Sequence, residues 1–129
     1  MTANDILGLL LDKHHKDICV PECKTGSTYG PGLRRIDLWV LKTSWAHPAV
    51  YGYEIKINRQ DFLHDTKWQD YLEYCTDFYF ACPPGVIEPN ELPPEVGLLV
   101  SSVNGARLFT KKKATSRLQP INKTCCFIF

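Results

Sequence analysis

Hydrophobic and polar positions alternate cleanly in two neighbouring stretches of the chain. Over 33–42, Ile36, Leu38 and Val40 fall on one side of an extended backbone, and Arg35, Asp37, Trp39 and Leu41 on the other. That alternation predicts a β-strand. Over 49–57, Tyr51, Tyr53, Ile55 and Ile57 oppose Gly52, Glu54 and Lys56, which predicts a second strand, with a turn over 43–48 between them. Helical spacing flanks this hairpin. Ile6, Leu7, Leu10, Leu11 and His14 place an amphipathic helix over 4–16, with Asn4 as its cap. Asn58 caps a short helix over 59–64. Asp65 caps a second over 66–75, whose Trp68, Tyr71, Leu72 and Cys75 form one stripe. Further strands are expected at 18–23, 77–82, 96–101 and 106–110. A Gly/Ser/Pro loop covers 26–32, a proline-rich excursion runs from Pro83 to Pro94, and Asn104-Gly105 is a hairpin turn. This order predicts an α/β or α+β domain, a mixed sheet flanked by helices, over 1–113. After Lys113 the pattern fades, so 114–129 is expected to be a basic, loosely ordered tail.

Composition mainly excludes. With 129 residues, 44% hydrophobic and 22% charged, the chain is one globular domain, not a disordered or fibrous protein. No apolar run has the length of a transmembrane helix or the flanks of a signal peptide, so a cytoplasmic protein with no membrane contact is expected. The net charge of +1 conceals an asymmetry. Nine basic and fourteen acidic side chains lie up to Ser102; six basic and no acidic ones follow. That basic end suits a polyanionic partner. The six cysteines, at 19, 23, 75, 82, 125 and 126, lack the spacing of zinc or iron–sulfur sites and read as reduced, apolar-like thiols.

The chemistry lies in the hairpin. A turn symmetric about 45/46 pairs residues whose numbers sum to 91 and sets Asp37 opposite Glu54 and Arg35 opposite Lys56. Opposed residues share a face, so the two carboxylates would stand about 5 Å apart. Like charges that close repel unless a cation neutralises them. Mg²⁺ or Mn²⁺ takes one or two carboxylates with waters and substrate phosphate, and the Ile55 carbonyl offers one more oxygen. Lys56 points into the same space, where an ammonium orients an attacking water and stabilises charge on a phosphate. A slip of one residue in the register would put Asp37 on the other face. A solvated face of mixed charge is the plain alternative for a pattern this short.

Further residues follow this pattern in order. Arg34-Arg35-Ile36-Asp37, Tyr53-Glu54-Ile55-Lys56, Asp61-Phe62, Asp65, Lys67-Trp68, Tyr71, Cys75, Phe78-Tyr79-Phe80-Ala81 and Leu92-Pro93-Pro94-Glu95-Val96-Gly97-Leu98 together resemble the MmcB-like DNA-repair proteins of the PD-(D/E)XK nuclease superfamily. The resemblance covers about 18–113. It implies a restriction-endonuclease-like core and Mg²⁺- or Mn²⁺-dependent hydrolysis of DNA phosphodiesters leaving a 5′-phosphate. It makes Asp37 and Glu54 metal ligands and Lys56 the water-positioning residue. Lys67 and Tyr71, one helical turn apart, resemble an element that borders such sites, the plain alternative being a solvated Lys beside a packed Tyr. Glu22 resembles an upstream acidic position that serves as a further ligand or only as a structural partner. The alternative within the same resemblance is a catalytically inactive, DNA-binding adaptor that recruits repair proteins.

Lys24, Arg34 and Arg35 border this site as phosphate contacts, and Lys111, Lys112 and Lys113 could grip a nucleic-acid backbone. DNA is the expected partner, with RNA not separated from it, and a homodimer or a repair protein is a further possible partner. Trp39 and Trp45 could meet bases. His14-His15 reads as a surface pair at a helix C-terminus.

Overall fold

The computed structural model describes residues 1–25, 34–43 and 48–117. Six strands form one mixed sheet in sequence order: β1 (Ile18–Thr25), β2 (Arg34–Leu41), β3 (Val50–Ile55), β4 (Asp77–Cys82), β5 (Val96–Ser101) and β6 (Leu108–Lys112). β1, β2 and β3 run antiparallel, β3 to β4 and β4 to β5 are parallel, and β5–β6 is an antiparallel hairpin. The expected mixed sheet flanked by helices is therefore observed.

The hairpin register is the one a symmetric turn requires. Leu38 faces Tyr53, Trp39 faces Gly52, Val40 faces Tyr51 and Leu41 faces Val50, each pair summing to 91. β1 lies at the sheet edge, where Pro21 is tolerated because its missing N–H faces no neighbour. The next residue, Glu22, has a left-handed backbone with φ 50°. Past it, Cys23 and Ile36 join the core of the opposite face from Leu38 and Val40, so the simple alternation of β2 stops at Ile36.

The two parallel connections cross the same face. The first carries α2 (Arg59–His64) and a 3₁₀ helix (Trp68–Tyr74). The second carries Val86, Ile87 and Leu92, which pack with Tyr71, Tyr74, Trp39, Phe78, Phe80 and Leu98 into one core. Arg59 of α2 joins them by a paired ion bridge to Glu91 and a hydrogen bond to the Val86 carbonyl at 2.9 Å. α1 (Ala3–Lys13) covers the other face with Ile6 and Leu10, against Leu38, Val40, Tyr53, Ala81 and Leu99.

Several boundaries differ from the expectation for a physical reason. Thr2, not Asn4, caps α1, because Thr2 and Asp5 have the spacing of a reciprocal capping box. The expected helix over 66–75 is wound as 3₁₀ over Trp68–Tyr74. Three residues per turn align Trp68, Tyr71 and Tyr74, which brings Tyr74 inside and leaves Leu72 half-buried. Order also continues past Lys113. Ala114 is buried, and the Arg117 backbone N–H donates to the Thr76 carbonyl at 2.9 Å. Trp39 is buried, with its indole N–H on the Tyr74 carbonyl at 3.0 Å, so it contacts core and not bases. His14 is buried too, because α1 ends at Lys13 and turns it inward. Trp45 and residues 118–129 lie outside the described residues. Cys19, Cys75 and Cys82 are not disulfide-bonded, but Cys23 is, which corrects the expectation of reduced thiols throughout. Among the described residues no helix is long and apolar enough to cross a membrane.

Candidate active site

Extending the β2–β3 register one step brings Asp37 beside Glu54 at the end of the sheet where β3 stops. The backbone then ties the two carboxylates together. The Asp37 N–H donates to Glu54 Oε1 at 3.2 Å, and the Ile55 N–H donates to Asp37 Oδ2 at 2.8 Å. On the other side of Asp37, the β1–β2 register skips Glu22 between Pro21↔Leu38 and Cys23↔Ile36. Glu22 is exposed there, and its charge reaches Asp37.

Lys56 follows the end of β3, anchored by its N–H on the Ala81 carbonyl at 3.0 Å. Its ammonium sits 2.7 Å from Asp65 Oδ2 and 3.8 Å from Glu54 Oε2. Asp65 is fixed in turn, because its Oδ1 accepts the N–H groups of Lys67 and Trp68 at 2.8 and 3.2 Å. The cap position of the 3₁₀ helix is Lys67 and not the expected Asp65, but the Asp65 side chain receives the N–H groups that lead into that helix and so also aims Lys56. Sequence reasoning expected Asp65 as a cap but missed its contact with Lys56. Its position in the ordered run of residues was the available signal.

These groups open on a cleft of about 460 Å³ lined by Asp37, Glu54, Lys56, Asp65, Lys67 and Tyr71, with Asp61 and His64 at its margin. Burial dominates its electrostatics. It pushes the Glu54 carboxyl up to about 8, with the Asp37 charge adding to the rise and Lys56 opposing it. Burial raises Asp37 as well, against the Ile55 N–H and Lys56, which favour its anion. Two carboxyls held in the protonated direction by desolvation are groups that a divalent cation would ionise. Among the described residues no cluster of three His, Cys, Asp or Glu side chains is arranged to hold a metal ion. A carboxylate pair on an open cleft suits Mg²⁺ or Mn²⁺, which keep waters and accept substrate oxygens, better than a closed structural site.

The other expected residues are dispersed. Lys67 and Tyr71 line the cleft. Lys24 and Arg35 pair across β1 and β2, and Arg34 pairs with Thr25, on the ribbon beside Asp37. Lys111 and Lys112 belong to β6, the opposite sheet edge from β1, with Lys113 just beyond it. The Lys112 ammonium donates to the Pro93 and Val96 carbonyls at 2.5 and 2.6 Å, and Lys111 lies over the Phe109 ring at 5.6 Å. Lys112 therefore holds the second crossover to β6, and the basic stretch is not gathered at the cleft.

A second polar cluster, unexpected from the sequence, lies under α1. His14 joins Asp17 to Tyr53 beside Tyr51 and Tyr79. The signal was His14 falling in register with the apolar stripe of α1.

The chain is similar to the SPO1766 protein of unknown function from Silicibacter pomeroyi, with 26% identity and a TM-score of 0.65, over 95% of this chain and 77% of that one. No curated protein matches. The family model described as DNA repair protein MmcB-like matches residues 6–127. That span takes in every strand, the cleft and the cluster beneath α1, and the chain belongs to the MmcB-like DNA repair protein family.

Proposed function

We propose that this protein is a Mg²⁺- or Mn²⁺-dependent DNA nuclease of the PD-(D/E)XK type, acting in DNA repair or phage DNA processing. The observation that carries this reading is the convergence of Asp37, Glu54 and Lys56 on one cleft, with Lys56 held at 2.7 Å by Asp65. Asp37 and Glu54 would hold the ion, with the Ile55 carbonyl and Glu22 as further candidate oxygens. When bound, the ion supplies Lewis-acid polarisation of the scissile phosphate and of a water.

The chain's own residues do the rest. Asp61 and Asp65 also line the cleft, with Lys56 and Lys67, and a bound ion would add the positive charge that draws in a polyanion. Lys56 cannot drift, because Asp65 anchors it, and its ammonium holds the attacking water against the phosphorus. A new P–O bond forms in line as the bond to the 3′ oxygen breaks, leaving a 5′-phosphate. The water's proton leaves through the open cleft, and the 3′ oxygen is protonated by solvent. Lys67 supplies a phosphate contact at the cleft wall, with Tyr71 packed beneath.

The test is cleavage of labelled single-stranded, duplex, flap and four-way DNA, with a single-stranded RNA control, in Mg²⁺ or Mn²⁺. Wild type is expected to cut at least one DNA substrate. Lys56→Ala is expected to lose about 10²–10³ in rate, the scale of losing one charge-stabilising donor. Equal background from both proteins on every substrate would favour the non-cleaving adaptor.

A further inference from the structure

Beneath α1, on the opposite face of the sheet from the cleft, a cavity of about 150 Å³ is lined by Lys13, His14, Lys42, Tyr51, Tyr53, Tyr79, Leu99 and Thr110. At about 30 Å³ per water, it has room for a phosphate-sized group. Its lining is buried at His14, Tyr53, Tyr79 and Leu99, half-buried at Lys42 and Tyr51, and exposed at Lys13 and Thr110. His14 is 2% exposed and Tyr53 fully buried. Asp17 Oδ2 accepts from His14 Nδ1 at 2.9 Å, so His14 Nε2 accepts the Tyr53 hydroxyl at 2.6 Å. Burial holds the His14 imidazole below the usual histidine range, consistent with this neutral form. The chain Asp17–His14–Tyr53 therefore fixes one wall and consumes its own donors.

The remaining groups are donors that no protein acceptor takes up, although the Lys42 ammonium lies over the Tyr51 ring at 5.6 Å and acts on the Asp17 charge. Among the described residues, the Tyr51, Tyr79 and Thr110 hydroxyls have no hydrogen-bond partner, and neither Lys13 nor Lys42 is paired with a carboxylate. No carboxylate lines the cavity. Of the two nearby, Asp17 is engaged by His14 and by the Thr43 N–H at 3.3 Å. Asp77, opposite Tyr51 in the sheet, accepts the Thr76 and Ser116 hydroxyls. A cation finds no anionic ligand in the lining, and an apolar ligand would strand the half-buried Lys42 ammonium and the Tyr51 and Tyr79 hydroxyls. Two ammoniums and three hydroxyl donors around a small space match a doubly charged oxyanion.

We propose that this cavity binds a phosphate monoester dianion. The group has two possible sources, a free phosphate or nucleotide and the 5′-phosphorylated end of a nucleic-acid strand. The proposal stands apart from the nuclease reading, because no residue is shared between the two sites.

Calorimetry on the full chain with inorganic phosphate, a nucleoside monophosphate, and one oligonucleotide with and without its 5′-phosphate tests it, in EDTA to silence the cleft. Saturable phosphate binding with a Kd of about 1 mM or tighter is expected, weakened about tenfold in Lys42→Gln and in Tyr79→Phe. Lys13→Gln, at an exposed position, is the second charge variant if Lys42→Gln melts early. Preference for the phosphorylated oligonucleotide over its unphosphorylated twin, with competition by phosphate, would assign the strand end. Binding of free phosphate or nucleotide alone would assign the small ligand. No saturable binding up to about 50 mM phosphate, or equal binding by wild type and all three variants, would overturn the proposal.

Discussion

Glu54 is 6% exposed at the end of β3, and burial beside Asp37 pushes its carboxyl up to about 8. In the unfolded chain it ionises near the ordinary glutamate value of 4.5. Between those two pH values the folded protein holds a proton that the unfolded chain has released. Stability from this group is therefore full below about pH 4.5 and falls as pH rises to about 8. Glu54→Gln imitates the protonated form and does not titrate. In EDTA at pH 8–9 we expect Glu54→Gln to be more stable than wild type by about 2–4 kcal/mol, with the gap closing toward pH 5. Added Mn²⁺ should reverse the order, since an ion bound only by the folded wild type adds stability by mass action. Urea midpoints across pH, with and without Mn²⁺, check both. A gap that does not change with pH would mean that Glu54 is ionised in the folded protein. Asp37, Glu54 and Lys56 were legible because the period of two and a symmetric turn determine which side chains meet. Asp65 and His14 were not, because each meets its partner only after the chain has crossed to another element.

Gly97 belongs to β5, between Val96 and Leu98 in the middle of an apolar strand. A Cβ there would stand 2.3 Å from Tyr79 Cε1 and 2.7 Å from the Ala114 backbone nitrogen. The ring is stacked on Tyr53 and the nitrogen belongs to main chain, so neither neighbour yields cheaply. Gly97→Ala should cost about 1–3 kcal/mol through overpacking, read as a lower urea midpoint at unchanged slope. An unchanged midpoint would show that the residues after β6 do not lie against β5. Strand type and pairing were readable in β2 and β3, where one face alternates against the other. The same pattern failed at the 3₁₀ helix. Its stripe was assigned at a 3.6 period, although Trp68, Tyr71 and Tyr74 also fit a period of three. The α1 cap failed for a similar reason, since Thr2 and Asn4 are both good capping residues and only the Asp5 partner decides between them.

At the scale of the molecule, the sheet separates two chemistries: a carboxylate cleft under the crossovers and a donor-lined cavity under α1. What keeps the sheet closed between them includes a strap that the fading sequence pattern hid. Residues 114–117 leave β6 and return to the start of β4. Thr115 donates to the Pro94 carbonyl at 3.2 Å, Ser116 to Asp77 at 3.1 Å, and Arg117 to the Cys75 carbonyl at 3.0 Å and, through its backbone, to Thr76. Such a segment has no periodicity to read, because its order comes from hydrogen bonds to distant backbone and from one small buried side chain, Ala114. A chain ended at Lys113 would leave the Thr76 and Cys75 carbonyls and Asp77 short of these donors. Compared with a chain ended at Arg117, it should lose about 2–4 kcal/mol, at about 1 kcal/mol per net hydrogen bond with the Ala114 burial added. Paired urea melts of the two lengths measure the difference directly. Equal midpoints would show that the fold closes at Lys113 and that the strap adds nothing to it.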